Sequence, residues 1–169
     1  MSKYKMIGFI ALLTLALSVS VSPTAVGAEK GKITGRIVNF AAGFESASVP
    51  DVEGHTIYLL KMKVIYFSDK WGTASGILTG TADLIKGAGS LEGYDHYTFP
   101  DGSTITTRWK AKQKGAGAGI TGGAGGEGTW TYLKGTGKFA GIRGAGTVKF
   151  WIVAPGQTYS DFEGEYTLP

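Results

Sequence analysis

The chain has 169 residues, of which 28 are glycine, 12% are aromatic and 18% are charged, and its formal net charge is +4. It has no cysteine, which excludes disulfide scaffolds, thiol nucleophiles and thiolate metal sites, and its two histidines are too few for an all-histidine metal site. A chain of this length is expected to form one small globular domain.

The first 28 residues have the organisation of a secretory signal peptide. Lys3 and Lys5 precede an apolar run over 6–21, and small residues follow at 23–28. The alternative is an uncleaved membrane anchor, for which the run is somewhat short. The sequence therefore predicts a signal peptide over 1–28. We expect a secreted or periplasmic domain over 29–169 that has no membrane attachment once the signal is cleaved.

The charge of the predicted mature domain does not indicate a nucleic-acid partner. Without Lys3 and Lys5, the 17 basic residues become 15 against 13 acidic ones, a net charge of +2. The densest basic stretch is Arg108, Lys110, Lys112 and Lys114. Its period of two is typical of the solvated face of a strand, so we expect no nucleic-acid binding.

The mature domain shows period-two patterns and turn residues instead of helical periodicity. Even positions from Tyr58 to Tyr66 are uniformly apolar, whereas Lys61 and Lys63 occupy the other face. These patterns predict an all-β fold, an eight-stranded antiparallel up-and-down barrel, with a two-sheet sandwich as the alternative. The predicted strands cover 32–40, 55–67, 72–85, 91–99, 103–113, 127–134, 144–153 and 158–168.

The segment from Leu91 to Gln113 predicts a hairpin with a three-residue loop of Pro, Asp and Gly at 100–102. This register pairs Asp95 with Thr107 and places Trp109 on the same face as Asp95. A two-residue loop would pair Asp95 with Arg108 and mix apolar and charged residues on each face. We therefore favour the three-residue loop.

The inward faces of the barrel supply the candidate site. Apolar walls with few polar groups suit a small-molecule pocket, although the same side chains could fill the lumen as a packed core. Asp95 is the candidate catalytic residue, because a carboxyl group in an apolar barrel has a raised pKa. The alternative is a structural Asp95 near a barrel rim, bonded to Thr107 or to a backbone amide. The predicted ligand-binding residues are Tyr58, Leu60, Met62, Tyr66, Tyr97, Trp109, Trp130 and Tyr132.

A glycine-rich stretch over 115–128 separates two predicted strands. Gly117, Gly119 and Gly122 have the spacing of a dinucleotide fingerprint, but no amphipathic helix follows, so the match is a coincidence of composition. The stretch predicts either a plain loop or a flap over the barrel mouth.

The segment over 135–144, GTGKFAGIRG, resembles the turn signature of the allene oxide cyclase and dirigent barrels. Its glycines permit positive φ values, and Phe139 is expected to be buried between two strands. The resemblance implies a calycin-like, eight-stranded barrel, often a homotrimer, with a pocket for a small organic molecule and no metal or organic cofactor. The cysteine of the cyclases has no counterpart in this chain.

Three functions remain open on these grounds. The first is an exported barrel that binds a small apolar or aromatic molecule in its lumen. The second is a cofactor-free cyclase or isomerase that templates a ring closure in the same pocket. The third is a filled barrel with a structural or interaction role.

Overall fold

The computed structural model describes residues 27–115 and 123–169, which form eight strands and a single 3-10 turn over Gly137–Phe139. Within these ranges, no helix has the length and hydropathy needed to cross a membrane. The strands are β1 (Glu29–Ser48), β2 (His55–Ser68), β3 (Gly72–Ile85), β4 (Ala88–Thr98), β5 (Thr104–Lys114), β6 (Gly125–Gly135), β7 (Arg143–Ala154) and β8 (Gln157–Leu168).

The strands close into an antiparallel barrel in chain order, and β8 pairs with β1. A circuit that follows the register from Ile33 through all strands returns to β1 at Phe44, eleven residues further along. Such a stagger requires strands that tilt against the barrel axis. The predicted all-β, eight-stranded antiparallel barrel is confirmed, and the sandwich alternative is wrong.

The β4–β5 hairpin has the predicted three-residue loop. The N–H of Phe99 donates to the carbonyl of Ser103 over 2.9 Å, and Gly102 has a φ of +80° that glycine adopts without strain. Asp95 pairs with Thr107, as this loop length requires. Because the register is right, the inward and outward faces of both strands were assigned correctly.

One end of the barrel, the plugged end, is filled by side chains from its turns. Phe139, in the turn between β6 and β7, is 1% exposed, and its ring packs on Phe99 and Trp71 with centroids 4.6 and 4.9 Å apart. Gly137 and Gly141 have φ values of +59° and +79° in the same turn. The predicted glycine turn with a buried Phe139 is confirmed.

The other end, the rim end, is formed by the β1–β2, β3–β4, β5–β6 and β7–β8 connections. β1 extends eight residues beyond its predicted end at residue 40, because β2 continues to pair with it as far as Ser48. β6 begins two residues before its predicted start at 127, and Gly125 and Gly126 pair with both β5 and β7. Residues 116–122, with the predicted flap and the three fingerprint glycines, lie outside the described residues, as do residues 1–26 of the predicted signal peptide.

Candidate functional site

The inward side chains near the plugged end form an aromatic floor across the lumen. Tyr66 stacks on Phe162 with ring centroids 5.2 Å apart and packs on Tyr97 at 4.8 Å. Trp130 and Tyr132 pack edge to face at 4.8 Å. These rings adjoin Phe99 and the plug, so this half of the barrel is a packed core.

Above the floor the lumen holds a cavity of about 430 Å³, which reaches Gly87 and Gly156 in the turns at the rim end. Its size falls in the range of small-molecule pockets, roughly 300–1,000 Å³. The barrel is therefore packed in one half and hollow in the other. The sequence alone predicted either a pocket or a filled core, and not this division. All eight predicted ligand-binding residues line this cavity: Tyr58, Leu60, Met62, Tyr66, Tyr97, Trp109, Trp130 and Tyr132.

Glycines on the inward face make room for two indole rings in the cavity wall. Trp109 and Trp130 are paired across β5 and β6, and their rings extend in opposite directions around the barrel. An added Cβ at Gly93 would lie 2.6 Å from the Trp109 ring, and one at Gly164 would lie 2.5 Å from the Trp130 ring. These inward glycines thus allow a close approach by aromatic side chains.

Asp95 lies in the cavity wall and is 6% exposed. The Thr107 hydroxyl donates a long hydrogen bond of 3.4 Å to its Oδ2, whereas Oδ1 has no partner among the described residues. Burial raises the pKa of Asp95 to about 7, and the nearby hydroxyls of Tyr97 and Thr107 oppose this rise. The carboxyl group can therefore gain or lose a proton near neutral pH, as general acid–base chemistry requires. The hydrogen bond from Thr107 is the one that the structural alternative expects, so the catalytic role of Asp95 stays a prediction.

Two further buried polar atoms of the cavity wall lack a hydrogen-bond partner among the described residues. They are Oδ1 of Asn39 and Nε1 of Trp109. Asn39 is held by its own amide, which donates to the Thr158 hydroxyl over 2.8 Å. Buried polar atoms are usually paired, so three unpaired ones in one cavity indicate where a bound molecule would find polar contacts.

Sequence reasoning missed Asn39, although a signal was present. Asn39 follows Ile33, Gly35 and Ile37 at period two on the inward face of β1, and a polar residue in such a series is unusual. Tyr66, Tyr97 and Tyr132 of the wall all have a raised pKa because of burial. Their hydroxyls therefore stay neutral at physiological pH.

The two histidines of the chain and Arg108 of the basic stretch do not line the cavity. His96 is exposed on the outer face of β4, and Arg108 is exposed and forms an ion pair with Glu92 at 3.3 Å. His55 begins β2 at the rim end, with its ring nitrogens 2.6 Å from Asp51 Oδ1 and 2.7 Å from Asp83 Oδ1. Hydrogen bonds that the His55 ring donates to the two carboxylates raise the pKa of His55 and hold it between two rim segments.

The barrel resembles solved structures of low sequence identity. A crystal structure of a conserved protein of unknown function from Rhodopseudomonas palustris matches with a TM-score of 0.50 and 13% identity, over 85% of this chain and 99% of that chain. Two pterocarpan synthase dirigent proteins match with TM-scores of 0.49 and 0.47 and identities of 14% and 15%. These two matches cover 90% and 82% of this chain, and 98% and 94% of the dirigent chains.

No protein-family model matches the sequence, and no curated protein does. The bacterial barrel at 13% identity shows a shared fold and nothing finer. Two dirigent proteins are thus among the solved structures that the chain resembles at low sequence identity.

Proposed function

We propose that this protein binds a small apolar or aromatic molecule in the rim half of its lumen. The observation that carries the proposal is the cavity of about 430 Å³ above a packed aromatic floor. Its wall is mainly aliphatic and aromatic, with a few polar groups such as Asp95 and Asn39 that would orient a ligand. A filled barrel with a purely structural role would not leave this volume.

The experiment combines native mass spectrometry of the mature chain, residues 29–169, with thermal shift assays across a panel of small aromatic molecules. A bound molecule lost on denaturation, or a rise in melting temperature, would support the proposal. Ala111→Phe adds a ring to the cavity wall and is expected to abolish binding. Ala145→Phe adds the same ring to an exposed position of β7 and is expected to leave binding unchanged.

A second candidate function is a cofactor-free cyclase or isomerase that templates a ring closure in the same cavity. The observation that favours it is the position of Asp95, buried in the cavity wall, where burial raises its pKa to about 7. One carboxyl group there can donate or accept a proton at neutral pH. In this function Asp95 would protonate or deprotonate the reacting group, while the aromatic walls hold the substrate in one folded shape. Once a ligand is known, a turnover that is unchanged in Asp95→Asn would remove Asp95 from the reaction.

We further propose that the protein is exported to the periplasm or secreted, on the basis of the signal-peptide pattern over 1–28. The intact mass of protein recovered from an exporting host tests this directly, because cleavage predicts a chain that begins at Glu29. The same native spectrum counts the subunits, for which the family resemblance leads us to propose a homotrimer.

A further inference from the structure

The described wall of the cavity contains an acidic residue but no basic one. Asp95 is the one carboxyl group of the wall, and no lysine, arginine or histidine is among the wall residues in ranges 27–115 and 123–169. Lys61 and Lys63 on β2 and Arg108 on β5 are exposed on the outer face. An ionised Asp95 therefore has no basic partner among the described residues that line the lumen.

The unpaired hydrogen-bonding atoms of the wall show the same imbalance. Oδ1 of Asp95 and Oδ1 of Asn39 are acceptors without a partner among the described residues, against one such donor, Nε1 of Trp109. A bound molecule that satisfies the carboxylate must carry a donor. Leaving a buried acceptor unsatisfied costs about 1–3 kcal/mol, and more for a charged group.

Aromatic rings surround the same space. Tyr58, Tyr66, Tyr97, Trp109 and Trp130 all line the cavity. The face of an aromatic ring attracts a cation within about 6 Å, and this attraction is larger when the cation is desolvated. The described wall residues thus include one acid, no base and several aromatic rings, a composition suited to a positively charged ligand.

Resting on the proposed function, we propose that the ligand is a small aromatic amine whose protonated nitrogen donates to Asp95. The ammonium group supplies both the positive charge and the donor that the Asp95 carboxylate lacks, and its aromatic part packs against the floor. A carboxylate should not bind at pH 8, because it would lie beside the ionised Asp95 and no basic residue is among the described wall residues. A neutral alcohol supplies a donor but leaves the carboxylate charge uncompensated.

In this proposal the charge state of Asp95 controls the affinity for the amine. On its own strand the neighbour is Tyr97, and β3 and β5 face it with Leu78 and Thr107, which do not titrate. Tyr66 and Tyr132 in the lumen stay neutral, because burial raises the pKa of both hydroxyls. Because the pKa of Asp95 is about 7, most of the free protein carries a proton on Asp95 at lower pH. That proton must leave before the carboxylate can bind an ammonium group.

The test is calorimetry on the mature chain with three probes of similar shape: 2-phenylethylamine, 2-phenylethanol and 3-phenylpropionate. We expect the amine to bind at least about tenfold more tightly than the alcohol at pH 8, and the carboxylate not to bind. Between pH 8 and pH 6 the amine affinity should fall about tenfold, as the ionised fraction of Asp95 falls. The alcohol affinity should change little.

Two variants locate the amine. Asp95→Asn should abolish the preference for the amine while the alcohol still binds, and Glu92→Gln, which removes an exposed acid from the outer face of the same strand, should change neither affinity. Equal amine binding by Asp95→Asn, or amine binding that survives in Ala111→Phe, would overturn the inference.

The two proposals fail in different ways. If the alcohol or the carboxylate binds the lumen at least as tightly as the amine, the lumen still binds small molecules and only the amine assignment is wrong. If none of the three probes binds and native mass spectrometry finds no bound molecule, the proposed function itself fails, and the amine assignment fails with it.

Discussion

The Asp95→Asn variant should gain stability relative to the wild-type protein as the pH rises. The carboxyl group is buried in an apolar wall, and its ionisation there costs free energy that an isosteric amide does not require. Asn keeps the shape of the side chain and its place beside Thr107. The variant therefore isolates the cost of the charge.

The magnitude and sign follow from the pKa of Asp95, which burial raises from 3.8 to about 7. Between these values the folded chain keeps the proton and the unfolded chain has released it, so the contribution of Asp95 to stability is present below about pH 4 and is lost as the pH rises to 7. A difference of roughly three pKa units corresponds to about 4 kcal/mol, since each unit is worth about 1.4 kcal/mol.

The assay is urea denaturation of ligand-free wild-type and Asp95→Asn protein, at steps of one pH unit from pH 4 to pH 8. All other titrating groups are common to both proteins and cancel in the difference between their unfolding free energies. That difference should shift in favour of Asn by about 4 kcal/mol across the series. A constant offset from the amide itself does not affect this slope.

A difference that stays constant with pH would refute the reasoning. It would mean that Asp95 ionises as readily in the folded barrel as in the unfolded chain, and hence that the carboxyl group is hydrated in the lumen. In that case its candidacy as a general acid or base at neutral pH would also lapse.

Three further predictions concern the framework. Gly164→Ala places a methyl group 2.5 Å from the Trp130 ring and should destabilise the fold by about 1–3 kcal/mol in urea denaturation. The control is Gly43→Ala, whose added Cβ has no atom within 4 Å and which should change stability by less than about 0.5 kcal/mol. Phe139→Ala removes the plug and should cost about 3–5 kcal/mol by the same assay; a smaller loss would mean that the neighbouring rings close the gap. His55→Gln should lower the melting temperature more at pH 5.5 than at pH 9. Because the pKa of His55 is raised in the folded protein, its contribution to stability is fully present below about pH 6.5 and is lost at higher pH. An equal effect at both pH values would contradict the ion-pair role.

Local pattern was sufficient for much of the strand order and facing in this fold. The β4–β5 pairing followed from a Pro-Asp-Gly loop together with the rule that charged and apolar residues occupy opposite faces, and the structure pairs Asp95 with Thr107 accordingly. The burial of Phe139 followed in the same way from the glycines around it. In both places short-range geometry and burial favour the same arrangement.

Other features depend on distant parts of the chain. Residues 41–48 do not alternate, and they extend β1 only because β2 continues beside them. Gly125–Gly128 have low strand propensity, yet β5 and β7 hold them from both sides. The division between packed floor and open cavity depends on the volumes of side chains from many strands, which no local pattern reports. The unpaired Oδ1 of Asn39 is visible only once that space is known.

The packed half and the hollow half of this barrel separate two kinds of selective constraint. Phe139, Phe99 and Ile33 lie in the plugged half, where a change of one methylene group alters packing on several sides. Residues such as Leu60 and Ala111 border empty space on one side, where side-chain volume can change with less cost to packing. Mutations can therefore accumulate near the rim while the opposite end preserves the register. The architecture allows the shape of the cavity to diversify while the packed half of the barrel stays unchanged.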